Sequence, residues 1–99
     1  MRIKGFIDRI GQERNGMSSK DGKPWRVIEL TLAIPYTTSK GETKYDRILV
    51  DYAEDKPVEE LGRLAAATSP LTFNVWFGIR PYNGRDYQTA RLYSIAQEF

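Results

Sequence analysis

Residues 57–80 read PVEELGRLAAATSPLTFNVWFGIR, and the change of period inside this stretch decides the fold. Val58, Leu61, Leu64 and Ala65 recur at three- and four-residue spacing, the stripe of an amphipathic helix. Pro57 stands at a first helical position behind the acidic pair Glu54-Asp55, and Ala65-Ala66-Ala67 are strong helix formers. Thr68-Ser69-Pro70 stops the helix. From Leu71 the period becomes two: Leu71, Phe73, Val75, Phe77 and Ile79 turn inward, while Thr72, Asn74, Trp76, Gly78 and Arg80 turn outward. A helix is thus followed directly by a half-buried strand.

Downstream, Tyr82-Asn83-Gly84-Arg85 contains Asn-Gly, the strongest short hairpin signal, and residues 86–96 return as a last strand with Ala90 and Leu92 inward. Upstream, residues 44–52 form a strand with Ile48 and Val50 on one face and Arg47 and Asp51 on the other. Residues 25–35 alternate most clearly, Ile28, Leu30, Leu32 and Ile34 against Glu29, Thr31 and Ala33. Pro35 and the polar run Thr37-Thr38-Ser39-Lys40-Gly41 end that strand. In residues 1–10, Ile3, Gly5 and Ile7 alternate with Lys4, Phe6 and Asp8, and Gly5 predicts a bend or bulge. Residues 11–24, rich in Gly, Asn and Ser, read as a loop or the tip of a long hairpin.

The order β-β-β-α-β-β predicts an all-β fold with one helix: a five-stranded Greek-key barrel of the OB type, as one domain over residues 1–99. Val58, Leu61 and Leu64 would plug its lower end. The alternative is a flat α+β sheet with the helix on one face.

Composition limits the chemistry. The 99 residues contain no cysteine and no histidine. That excludes a disulfide framework, a thiolate zinc site and a Ser–His or Cys nucleophile pair. No cofactor and no metal are expected. Asp46, Asp51, Glu54, Asp55, Glu59 and Glu60 read as a solvated face and a favourable helix N-terminus; a magnesium-dependent nuclease is the sharper alternative, but no paired carboxylates stand at a catalytic spacing with a base. No phosphate-binding Walker loop is present. A non-enzymatic protein is the expectation. No apolar run approaches the roughly 20 residues of a membrane helix, and Met1–Gly5 does not open a signal peptide, so the expected location is the cytoplasm.

The net charge of +2 permits nucleic-acid binding without requiring it, so the placement of charge decides. Aromatics recur beside Lys or Arg at strand ends. Trp25 and Arg26 follow Lys20 and Lys23; Tyr36 and Tyr45 flank a loop with Lys40 and Lys44; Trp76 shares a face with Arg80; Tyr82 and Tyr87 bracket Arg85. Stacking on Trp or Tyr tolerates any base, and Lys and Arg neutralise phosphates. In OB folds the loops between strands 1–2 and 4–5 flank the binding face, here residues 11–24 (with Arg14, Lys20 and Lys23) and 82–86. The candidate nucleic-acid contacts are Lys20, Lys23, Trp25, Arg26, Tyr36, Lys40, Tyr45, Arg47, Trp76, Arg80, Tyr82, Arg85 and Tyr87. The expected partner is single-stranded DNA, with single-stranded RNA through the same surface as an alternative. The alternative from another class is a protein-interaction module, in which Trp76 sits between subunits.

Two segments carry a resemblance. Leu71–Ile95, with Tyr82-Asn83-Gly84-Arg85, Tyr87, Arg91 and Tyr93, resembles a family of small bacterial proteins of unknown function regarded as OB folds related to single-stranded-DNA-binding proteins. Ser19-Lys20-Asp21-Gly22-Lys23-Pro24-Trp25 resembles the Ser-x-x-Gly-Lys-Pro-aromatic segment of filamentous-phage single-strand-binding proteins. The resemblance implies an OB fold, single-strand binding and a homodimer or homotetramer, with Lys20, Lys23, Trp25 and Tyr87 as contacts. It departs from the main bacterial type at Gln97-Glu98-Phe99, which ends acidic-then-aromatic without the long Gly/Pro-rich tail, so tail-mediated recruitment of partners is not expected.

Overall fold

The computed structural model describes residues 1–97. Glu98 and Phe99, part of the terminus compared above with a single-strand-binding tail, lie outside the described residues. Five strands and one helix follow in the expected order: β1 (Arg2–Met17), β2 (Pro24–Thr37), β3 (Thr43–Tyr52), α1 (Val58–Ala65), β4 (Leu71–Tyr82) and β5 (Arg85–Gln97). The strands close into a barrel in the order β1-β2-β3-β5-β4, the OB arrangement, and the flat-sheet alternative is set aside. Among the described residues only the β3–β5 contact is parallel, and it is two residues long: Asp51 faces Arg91 and Tyr52 faces Leu92.

Alternation places the core. Ile28, Leu30 and Leu32 of β2, Val50 and Tyr52 of β3, Leu71, Phe73 and Val75 of β4 and Leu92 of β5 are buried around Leu61 of the helix. Burying each such side chain contributes roughly 1.5–3 kcal/mol, which offsets the ordering of a small chain. Leu64 packs against this core from the helix as expected, but Val58 is exposed and plugs nothing. The helix is shorter than its sequence stripe: Pro57 is its N-cap rather than its first residue, and Ala66 already caps its C-terminus.

Three strand readings are corrected. β1 runs to Met17 rather than ending near residue 10, so residues 11–24 are the end of a long hairpin, one of their two readings, with the turn confined between Met17 and Pro24 and Gly22 in the left-handed region at φ 68°. β1 absorbs its curvature by register slips after Ile7 and Ile10, not at Gly5. Gly5 instead permits a close approach, since a Cβ there would collide with the Ala33 carbonyl oxygen. Pro35 does not end β2; it pairs with Tyr45. The Thr38 N–H donates to the Glu42 carbonyl at 2.8 Å. Antiparallel alternation then makes Tyr36–Lys44 a hydrogen-bonded pair and Pro35–Tyr45 a wide one, which needs no N–H from residue 35. β1 has also ended its pairing with β2 at Ala33, so no second neighbour requires that N–H.

The fourth correction concerns reach. Ile79 keeps the inward parity of β4 yet is 69% exposed, because β4 and β5 extend past the barrel as a free arm. The arm ends in a two-residue turn with Asn83 at φ 51° and Gly84 at φ 75°, the Asn-Gly hairpin expected from the sequence.

Candidate nucleic-acid interface

Two arms project from the barrel. In one, β1 and β2 pair Arg14 with Val27 and Gly16 with Trp25. In the other, β4 and β5 pair Trp76 with Arg91, Gly78 with Thr89, Arg80 with Tyr87 and Tyr82 with Arg85. Opposed residues share a face, so one side of the second arm carries three aromatic–guanidinium pairs, interrupted by the Gly78–Thr89 pair.

Both tryptophans lie over glycine. A Cβ at Gly16 would come within 2.8 Å of the Trp25 ring, and one at Gly78 would collide with the Trp76 ring. The absent side chains let each indole lie down along its arm while staying about half exposed, Trp25 at 45% and Trp76 at 54%.

The two arms face each other across a cleft of about 220 Å³ lined by Arg14, Trp25, Val27, Asp51, Ala53, Trp76, Arg80, Thr89, Ala90 and Arg91. Its floor is the short β3–β5 seam, where Asp51 faces Arg91 and Arg91 in turn faces Trp76. Three guanidinium groups stand against one carboxylate, and Arg14 sits 3.7 Å from Asp51. A wider hollow of about 810 Å³ continues past Trp25 toward Glu54, Asp55 and Arg26. The cleft therefore offers two flat rings and an excess of positive charge, the groups that stack bases and neutralise phosphates.

The sequence candidates divide sharply. Trp25, Trp76 and Arg80 meet in the cleft. Tyr82, Tyr87 and Arg85 extend its aromatic–basic face to the arm tip, where the tyrosine rings are 6.5 Å apart and tilted by 58°. Lys20 and Lys23 lie in the exposed turn beyond Trp25, held by a Ser18 N–H to Lys23 carbonyl bond of 2.8 Å and by the Asp21 carboxylate accepting the Lys23 N–H at 3.0 Å.

Arg26 points the other way. Its guanidinium donates to the Glu54 and Lys56 carbonyls, each at 2.7 Å, and lies 3.8 Å from Glu13. It is a tie between the β1–β2 arm and the segment leading into the helix. Tyr36, Lys40 and Tyr45 are not brought to the cleft either. Trp25 and Tyr36 are eleven residues apart on β2, about 35 Å of strand at roughly 3.3 Å per residue. Tyr36 shares the face of Lys44, and Tyr45 the opposite face. Arg47 is engaged with Asp8 at 3.1 Å.

Arg14 and Arg91 line the cleft, although neither belonged to the candidate set. For Arg91 the signal was parity, since it stands one step from inward Leu92. For Arg14 parity was hidden by the register slips of β1. Among the described residues no cluster of three or more acidic side chains is arranged to hold a metal, and no helix is long and apolar enough to cross a membrane.

The sequence matches no established family and no curated protein. In three dimensions the chain is similar to a small single-stranded DNA-binding protein from Streptomyces coelicolor, at 9% identity, over 99% of this chain and 92% of that one, with a TM-score of 0.48.

Proposed function

We propose that this chain binds single-stranded DNA without acting on it chemically, in the cleft between its two arms. One observation carries the reading: Trp25 and Trp76, 51 positions apart in sequence, line the same cleft together with Arg14, Arg80 and Arg91. Bases stack on the two indoles, the arginines meet the phosphates, and the Arg80–Tyr87 and Tyr82–Arg85 pairs continue the track to the arm tip. Such a site suits strands exposed in replication, repair or the transfer of phage or mobile DNA.

Titration of the intrinsic tryptophan fluorescence with a long oligo-dT at two salt concentrations tests this. Quenching that weakens as salt rises is expected, and Trp76→Ala should lose about 1–3 kcal/mol of binding, the contribution of one stacked base. Absence of quenching at low salt overturns the reading. Competition with a matched RNA oligomer separates the two sugars, because discrimination rests on contacts to the 2′-hydroxyl.

A further inference from the structure

From the open edge of β3 we infer that a second copy of this chain pairs with the first there, related by a twofold axis through Tyr45. β3 is hydrogen-bonded to β2 along one side but to β5 only at Asp51 and Tyr52; residues 43–46 present a free edge, and Arg47–Leu49 border a hollow of about 360 Å³ shared with Phe77 and Gln88–Ala90. All of residues 43–49 except Ile48 are exposed. The alternation derived for Pro35–Tyr45 fixes which backbone groups face outward: the N–H and C=O of Thr43, Tyr45 and Arg47 point away from β2. Unpaired edges of this kind are ready templates for another strand.

Charge selects the register. A twofold axis perpendicular to the sheet pairs residues of equal parity, so each register is named by its central residue. Centring on Lys44, Asp46 or Arg47 sets two like charges directly opposite each other, which is destabilising. Centring on Ile48 opposes Tyr45 to Asp51, whose edge β5 already occupies. Centring on Thr43 would oppose Lys44 to Glu42 and Asp46 to Lys40, but residues 39–41 form a turn with Gly41 at φ 80° and cannot extend a strand pairing; centring on Leu49 again meets Asp51. Centring on Tyr45 is the complementary register that stays within β3. Lys44 of each copy then faces Asp46 of the other, twice by symmetry, and the two Tyr45 rings meet on the opposite face. Tyr45 with Tyr45, and Thr43 with Arg47 in both directions, form the close pairs that exchange N–H and C=O bonds. The charges that protect this edge in other registers specify it in this one. The axis lies far along β2 from Trp25. The inference does not depend on what the cleft binds.

Sedimentation velocity without nucleic acid tests it. The expected species has twice the 11.4 kDa chain mass in the upper micromolar range. Asp46→Lys should reduce it to the monomer, and the exchanged pair Lys44→Asp with Asp46→Lys should restore it. Tyr45→Pro should also give a monomer with an unchanged circular dichroism spectrum, because it removes an N–H that β2 does not use. A monomeric wild type throughout that range overturns the inference. So does a dimer that survives Asp46→Lys, or a charge exchange that folds but does not reassociate.

Discussion

Arg91→Gln isolates the electrostatic part of the proposed interface. Arg91 faces Asp51 on one side and Trp76 on the other, at the floor of the cleft. Arg80, Arg85 and Arg91 carry charge on the cleft and arm face, while the charge of Arg14 is partly offset by Asp51 at 3.7 Å. With three phosphates neutralised, single-strand binding should follow log K against log salt with a slope of about −2, at roughly −0.7 per phosphate. Raising salt from about 50 to about 200 mM then weakens binding roughly 20-fold. In Arg91→Gln the slope should flatten to about −1.4, and the same change in salt should cost only about 7-fold. Tryptophan quenching at saturation should persist, because both indoles remain. Fluorescence titration with oligo-dT at four or more salt concentrations gives both slopes. An Arg91→Gln protein that keeps the wild-type slope would refute the assignment of a phosphate to this residue.

Other perturbations follow from the same geometry. Asp51→Asn should strengthen oligo-dT binding and steepen the salt slope by about 0.7, since it releases Arg14; weaker binding would contradict the charge count of the cleft. Arg26→Ala should cost about 2 kcal/mol in urea unfolding, because two charge-assisted bonds to carbonyls are lost from a side chain only 27% exposed. A loss near zero would mean that the arm is held by other contacts. Burial raises the Tyr52 hydroxyl above its usual value near 10; the Lys56 N–H donating to it and the Lys56 charge oppose the rise, and the nearby Asp55 and Glu54 charges add to it. Since the folded state keeps the neutral phenol, its contribution is complete below about pH 10 and is lost as pH rises through the raised folded value. Tyr52→Phe should remove that part of the alkaline decline in stability, and an unchanged decline would refute it.

The barrel was legible because its signals are local. Period two in Leu71–Val75, period 3.6 in Val58–Ala65 and Asn83-Gly84 each report backbone geometry directly. Parity names a face, however, and not where the barrel stops covering it, so Ile79 was read as core although the arm leaves it in solvent. The extent of β1 was hidden in a Gly- and Asn-rich segment whose pairing with β2 overrides its composition. At the site, aromatics beside basic residues were visible along the chain, but their partners were not. Arg26 is held by carbonyls almost thirty residues away, which no side-chain pattern reveals. Tyr36 and Tyr45 flank one turn yet face opposite ways, a consequence of register rather than of proximity.

The two-residue seam between β3 and β5 has a consequence for how the molecule breathes. Every other junction of the barrel is a longer ladder, so the least costly local opening separates Asp51 and Tyr52 from Arg91 and Leu92. That opening would split the cleft floor and carry Arg91 away from Asp51. A strand bound across both walls acts as a bridge over the seam, and its binding energy adds to the cost of opening. Among the hydrogen-bonded amides of the barrel ladders, those at this junction should exchange first in the free protein and slow the most when the cleft is filled.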